Sequence, residues 1–422
     1  MMKKNEIIKC LKENKNVTDY EITFKSSDSR ELFYVLKHLE INRAVKVEEI
    51  AIEIYVDKGE YKGDSCVVVT SADNVSSLKR KIASAVKKAK VVSNKYYPLP
   101  KKTTNIKEKQ PKGIDLNDAA CKIAKAVYKA DTNKNGWINS CEIFVSSVRR
   151  ELLTSKGINH ISYSNICQIE IIPTWKNSDE EFELLKFIET SDFNYSDITK
   201  QTKEILKLSK YRSEAVKASS INIPKDVKIL VQGEMLRNLV NNMTSDATYE
   251  YLFLKQNHYK INDVISNTKF NLTLKPVIKG CIASSKYDGN GIVLKSKQII
   301  KDGVLISNWG GVRFGHYLGV KNPTGSLPTA LIDAPSYDYR KDKHIIVEAF
   351  SSPQLEGFSG YFGGEVRLAL YYDGNKYIPI TEFAISGNIY EAMKHIQFSK
   401  EKTSAIDCSG PKYFIFNGLS IN

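Results

Sequence analysis

Residues 131–142 read Asp131-Thr-Asn133-Lys-Asn135-Gly136-Trp-Ile138-Asn-Ser-Cys-Glu142, with oxygen donors at the first, third, fifth and twelfth places and glycine at the sixth. With that spacing a loop can ring calcium with side-chain oxygens and close on a bidentate carboxylate. Such a loop also needs a helix on each side. Downstream, Ile143–Leu152 (IFVSSVRREL) alternates like a strand and is rich in β-branched residues. No second loop of this kind is present to pair with it. The sequence therefore favours a polar turn from helix into strand.

Other residue types that could do chemistry are scattered. Asp288-Gly289-Asn290-Gly291 has a G-x-G but lacks a third glycine and a following helix, so it reads as a turn. Gly357-Phe358-Ser359-Gly360 misses the spacing of a nucleophile elbow by one residue, and no histidine is near Ser359 in sequence. Histidines stand at 38, 160, 258, 316, 344 and 395, never a helical turn apart, so no pair on one helix could hold zinc. A metal assembled from distant residues such as His316 and His344 stays open. Seven cysteines with no close pair form neither a disulfide framework nor a zinc knuckle and are expected to be reduced core thiols.

The formal charge of +14 raises the question of nucleic acid. Only 10 of the 62 basic residues are Arg, and the lysines are spread along the whole chain. Base readout leans on the planar fork of Arg, so a solvated basic surface is expected rather than specific nucleic-acid binding. No apolar run reaches the roughly 18 residues of a membrane span, and MMKKNEIIKCLKENKN has no apolar core of a signal peptide. A cytoplasmic protein without membrane attachment is expected.

A chain of 422 residues exceeds what one hydrophobic core usually organises. The first residues form an amphipathic helix, and Thr18 to Ile54 alternates with period two, as does SCVVVTS. Val75, Leu78, Ile82, Val86 and Ala89 share one helical face. The Pro- and Lys-rich stretch 96–113 is a surface loop or linker. Helix follows at 115–130, strands over IFVSSVRREL and SYSNICQIEIIP, and helix again at 196–218. From about residue 270 glycine-rich turns separate short apolar runs. The fold class is α+β: a mixed α/β-sheet domain over 1–222 followed by a β-rich domain over 223–422.

Several segments in order resemble the TldD/PmbA family, also called modulators of DNA gyrase. They are SRELFYVLKHLEINRAVKVEEIAIEIYVD, GDSCVVVTS, AKVVSNKYYPLP, WINSCEIFVSSVRRELLTSKG, YDGNGIVLKSKQIIKDGVLISNWGG, NPTGSLPTALIDAP, FSGYFGGEVRLALYYDG and SGPKYFIFNGLSI. In that family TldD-type subunits bind zinc through an HExxxH helix and a later cysteine. The matching stretch here, Gln232–Asn242 (QGEMLRNLVNN), has neither histidine, and Cys408 lies too near the terminal SGP segment to match. The resemblance thus implies the metal-free PmbA (TldE) type, with zinc on a TldD-like partner and unfolded peptide as substrate. An independent peptidase using Ser359 or Cys408, or a ligand-binding homodimer, is the alternative. Peptide could add as a strand beside edges flanking Asp288, Gly289 and Gly291, or Phe358, Ser359 and Gly360, where glycine lets backbone approach closely.

Overall fold

The computed structural model describes residues 3–111 and 113–422. Alternation in the first half builds one antiparallel sheet from β1 (Asp19–Val35), β2 (His38–Lys58), β3 (Tyr61–Val69), β4 (Asn94–Lys95), β5 (Gly136–Thr154), β6 (Asn159–Asn177), β7 (Glu180–Glu183) and β8 (Lys186–Thr190). Its order is β4-β3-β2-β1-β5-β6-β7, with β8 also on β6. β1 and β2 join through Leu36 and Lys37, at φ +46° and +68°, the left-handed pair of a tight hairpin turn.

All four helices of this half cover one face of the sheet. α1 (Lys4–Glu13) and α2 (Val75–Val91) bury Ile7, Leu11, Leu78 and Ile82 against Ile22, Ile52 and Ile54. α3 (Leu116–Tyr128) and α4 (Tyr195–Glu214) bury Ile123, Val127 and Ile205 against Ile143, Val145 and Ile169. Asn74, Asp115 and Asn194 cap α2, α3 and α4 with side-chain oxygens on the free N–H groups of the first turn.

The second half surrounds one core with a ten-stranded and a six-stranded sheet. α5 (Gly233–Asp246) follows the strand Lys228–Val231 and sends Met235, Leu236, Leu239, Val240 and Met243 into that core. Short helices α6 (Tyr249–Leu254), α7 (Val312–Tyr317) and α8 (Ile389–Met393) complete it. The α+β class read from the sequence is what the chain adopts.

Three expectations are corrected. The stretch 96–113 is no free linker, because Tyr97 and Leu99 are buried against Val312 of the second half. The helix at 196–218 ends at Glu214, and Val216–Lys217 instead pairs in parallel with Ile380–Thr381. Cys66 and Cys121 are exposed, while the other five cysteines are buried, and all seven are free. Among the described residues no helix is long and apolar enough to cross a membrane.

α2 lies so close to β3 that a Cβ on Gly63 would stand 1.8 Å from the carbonyl oxygen of Ala89. Backbone cannot yield as a side-chain tip can. Gly63→Ala should therefore lower the unfolding free energy by roughly 1–3 kcal/mol in urea titration, and an unchanged midpoint would show that α2 is not held so tightly.

Candidate functional site

α5 is amphipathic, and its exposed side carries Glu234, Arg237, Asn238 and Asn241. The Arg237 guanidinium grips Asp407 through two nitrogens, at 3.0 and 3.3 Å, and Asn241 donates to the same carboxylate at 3.4 Å. Just before the helix, Gln232 donates to Glu348 at 2.7 Å. Lys186, from β8 of the first half, donates to the Glu348 backbone carbonyl at 2.6 Å. Burial pushes the Glu348 carboxyl up and the Lys186 ammonium down, each partly restored by the other. Gly233 opens the helix at φ +62°, a conformation that L side chains rarely adopt.

Beside α5 stands the hairpin formed by Gln354–Leu355 and Tyr361–Tyr372, whose turn contains Phe358, Ser359 and Gly360. Phe358 is 70% exposed. Ser359 Oγ donates to Glu356 at 2.7 Å and accepts from the Tyr361 N–H at 3.2 Å. Its partner is thus a carboxylate and a backbone amide, with no histidine in reach of its hydrogen bonds. Gly360 has φ +76°, and its carbonyl accepts from the Ile389 N–H at 2.6 Å. Gly357 is held by the Tyr390 hydroxyl, and a Cβ there would meet the Asn242 amide of α5 at 2.8 Å.

Asp288, Gly289 and Gly291 lie elsewhere, in a turn pressed onto the first half's sheet. Asp288 is buried, and its carboxylate accepts from the N–H groups of Asn290 (3.0 Å), Ile292 (2.8 Å) and Ser326 (3.1 Å). Burial raises its carboxyl while those amides lower it. Gly291 sits at φ +87° over Ile158 and Leu152. The Ile106 N–H donates to His160 Nδ1 at 2.9 Å, which leaves Nε2 to donate to the Gly291 carbonyl at 2.9 Å. Gly289 has open space at its Cβ position. The two candidate glycine segments therefore belong to different environments.

The calcium-like segment is a turn from α3 into β5, as its downstream alternation implies. Asp131 is buried, and the Lys37 ammonium stands 3.3 Å from its Oδ2 and donates to its carbonyl at 3.0 Å. Glu142 lies within β5 opposite Glu170. The cation beside Asp131 is a lysine.

Cys408 is buried, with its thiol pushed up to about 12 by burial and by Asp407. His344 is buried with both ring nitrogens engaged, by the Asp342 carbonyl at 2.7 Å and the Tyr377 hydroxyl at 3.0 Å. Among the described residues no three His, Cys, Asp or Glu side chains cluster so as to hold a metal.

Sequence reasoning missed a pair of carboxyls, the buried Glu21 and the half-buried Glu53. Glu21 and Glu53 face each other across β1 and β2 on the side away from the helices. Tyr55 donates to Glu21 at 2.9 Å, and the Asn290 amide, at 3.1 Å, bridges to it from the second half. Burial pushes both carboxyls up to about 7, with Asp64 and Glu21 adding repulsion at Glu53. The glutamates in YEITF and IEIYV alternate with the core-facing isoleucines and read as solvent-facing, and only the covering turn shields them.

Comparisons with known proteins bear on the fold. Residues 224–421 match the profile of the PmbA/TldA metallopeptidase C-terminal domain. The fold is similar to that of TldE from Thermococcus kodakarensis, at 16% identity and a TM-score of 0.80 over 99% of both chains. It is also similar to a proposed modulator of a DNA gyrase from Thermotoga maritima, at 13% identity and TM-score 0.76 over 99% of both chains. A third such protein, from Bacteroides thetaiotaomicron, gives 15% identity and TM-score 0.77 over 99% of this chain and 97% of its own. Comparison with curated proteins returns no match.

Two measurements test this site. Glu21 and Glu53 hold protons when folded that the unfolded chain releases above its ordinary value of 4.5. Their stabilising contribution is full below pH 4.5 and is lost as pH rises through 7. Glu53→Gln should thus raise the urea midpoint at pH 8, by roughly 1 kcal/mol equivalent, and leave it unchanged in mild acid; equal shifts at both would contradict the assignment. For the Asp131 turn, millimolar calcium should leave the wild-type melting temperature unchanged, and a clear rise would reinstate a calcium loop.

Proposed function

The chain belongs to the TldD/PmbA family, and on that basis we propose that it is a metal-free, TldE-like subunit of a cytoplasmic metalloprotease acting on unfolded peptides. One observation carries this reading. α5, in the place the resemblance gives to the zinc helix, has no histidine or cysteine. Its polar side is occupied by the Arg237–Asp407 and Gln232–Glu348 contacts. Gly233 has a backbone on which an imidazole-bearing residue would be strained. The residues present do not fit a zinc ion.

Zinc belongs, in this reading, to a TldD-like partner, where it would polarise the scissile carbonyl. This chain would supply walls and positioning. The exposed turn Phe358–Gly360 is the better of the two candidate peptide contacts, because its Phe358 ring and Ser359 are solvent-facing and beside α5. The Asp288–Gly291 turn would act from behind, by holding the two halves in register.

A native pull-down with mass spectrometry should recover an HExxxH protein in near-stoichiometric amount. Glu234→Ala should leave the zinc content of that complex unchanged, and loss of zinc in the variant would overturn the metal-free assignment. Recovery of this chain alone would shift the reading to a ligand-binding homodimer.

A further inference from the structure

The formal charge of +14 is not shared evenly over the surface. α2 carries six cations, Lys79, Arg80, Lys81, Lys87, Lys88 and Lys90, and no acidic residue. α4, packed on the same sheet, interleaves five cations with three acids. The buried side of α2 is Leu78, Ile82, Ala85, Val86 and Ala89, so helical spacing turns its charged residues outward. α1 lies beside it, joined by a Lys79–Glu13 ion pair at 2.7 Å, and exposes Lys9 and Lys12.

The acids at this surface are already engaged. Glu13 holds Lys79, Asp73 holds Lys81 at 2.6 Å, and Glu6 accepts from the Lys3 N–H at 3.0 Å. Among the described residues, Arg80, Lys87 and Lys88 have no acidic partner. Lys90 donates to the neutral Asn16 amide oxygen at 2.8 Å, which leaves its charge uncompensated. Arg80 and Lys87 are seven residues apart, about 10 Å along the axis. That is about one screening length in physiological salt, so their fields add. The exposed residues between them, Ala83 and Ser84, are too short to stand in front of the cations.

We propose that the α1–α2 face binds the phosphate backbone of duplex nucleic acid without reading its sequence. A row of uncompensated cations is complementary to a duplex, which carries one charge per about 1.7 Å of its axis. Lysine contacts phosphates as a point charge, and α2 has a single arginine to fork onto a base edge. Neither helix carries an aromatic ring, so the bases of a single strand would find no stacking platform. A bilayer is disfavoured because the apolar sides of both helices are buried in the core, leaving only Val75 and Val91 exposed at opposite ends of α2. Binding of this kind is independent of the metalloprotease reading.

Fluorescence anisotropy of the full chain with labelled DNA duplexes tests this. Two duplexes of unrelated sequence should bind equally, and raising salt from about 50 to 200 mM should weaken both by about a hundredfold, the slope of four phosphate contacts. Arg80→Glu/Lys87→Glu/Lys88→Glu should lose at least about tenfold in affinity with an unchanged circular dichroism spectrum. Lys125→Glu/Lys200→Glu/Lys203→Glu, an equal charge change on α3 and α4, should stay within about twofold. The neutral variant Arg80→Gln/Lys87→Gln/Lys88→Gln, which adds no repulsion, should reduce the slope of log affinity against log salt by about 3. Absence of binding at low salt, equal losses in the two charge-reversed variants, preference for one sequence, or capture by anionic vesicles with the duplex ignored would overturn the proposal.

Discussion

The seating of one turn, Tyr287–Gly291, on the sheet of the first half is the contact on which the molecule's arrangement depends. The Tyr287 ring packs at a tilt of 34° against His160, 4.6 Å between ring centres, and its hydroxyl shares a hydrogen bond with Ser162 at 3.0 Å. Gly291 lies on Ile158 and Leu152 with no room for a side chain, and its carbonyl accepts a hydrogen bond from His160 Nε2. Such a fit requires a left-handed backbone and a missing Cβ at one position, which only glycine supplies without strain. The buried Asp288 makes the turn rigid by accepting three backbone amides.

That seating has an electrostatic consequence. Glu21 and Glu53 would be ordinary surface residues of a strand if nothing lay above them. Covered, they lose hydration that the hydrogen bonds from Tyr55 and Asn290 to Glu21 only partly replace, and the charged form becomes costly. Lys62 shows the opposite solution a few residues away. It is fully buried but pairs with Asp57 at 2.5 Å and lies near Asp19. Lys62 thus has carboxylate partners beside it, whereas Glu21 and Glu53 have no cation beside them and their carboxyls are pushed up by burial.

On the far side of the contact, α5 and the hairpin above it use polar residues chiefly on one another. Arg237, Asp407, Gln232 and Glu348 satisfy each other, and Tyr390 and Asn388 fix the turn through Gly357 and Ser359. What remains exposed includes the Phe358 ring, the Ser359 hydroxyl and the Glu234 carboxylate.

Local pattern alone determined the class of fold and most elements, because strand alternation and helical spacing depend on which side of each element meets a core. It also weighed against a calcium loop, since the strand-like alternation after Glu142 leaves no second helix. What it left open depended on groups distant in sequence. Lys37 reaches Asp131 across 94 positions, and Asn290 reaches Glu21 across 269. Nothing near Asp288 or Phe358 in sequence says that the first turn is buried and the second exposed, because both are short glycine-rich links between strands. Which of them faces solvent was decided by the docking of two halves, a long-range packing event that local residue spacing does not encode.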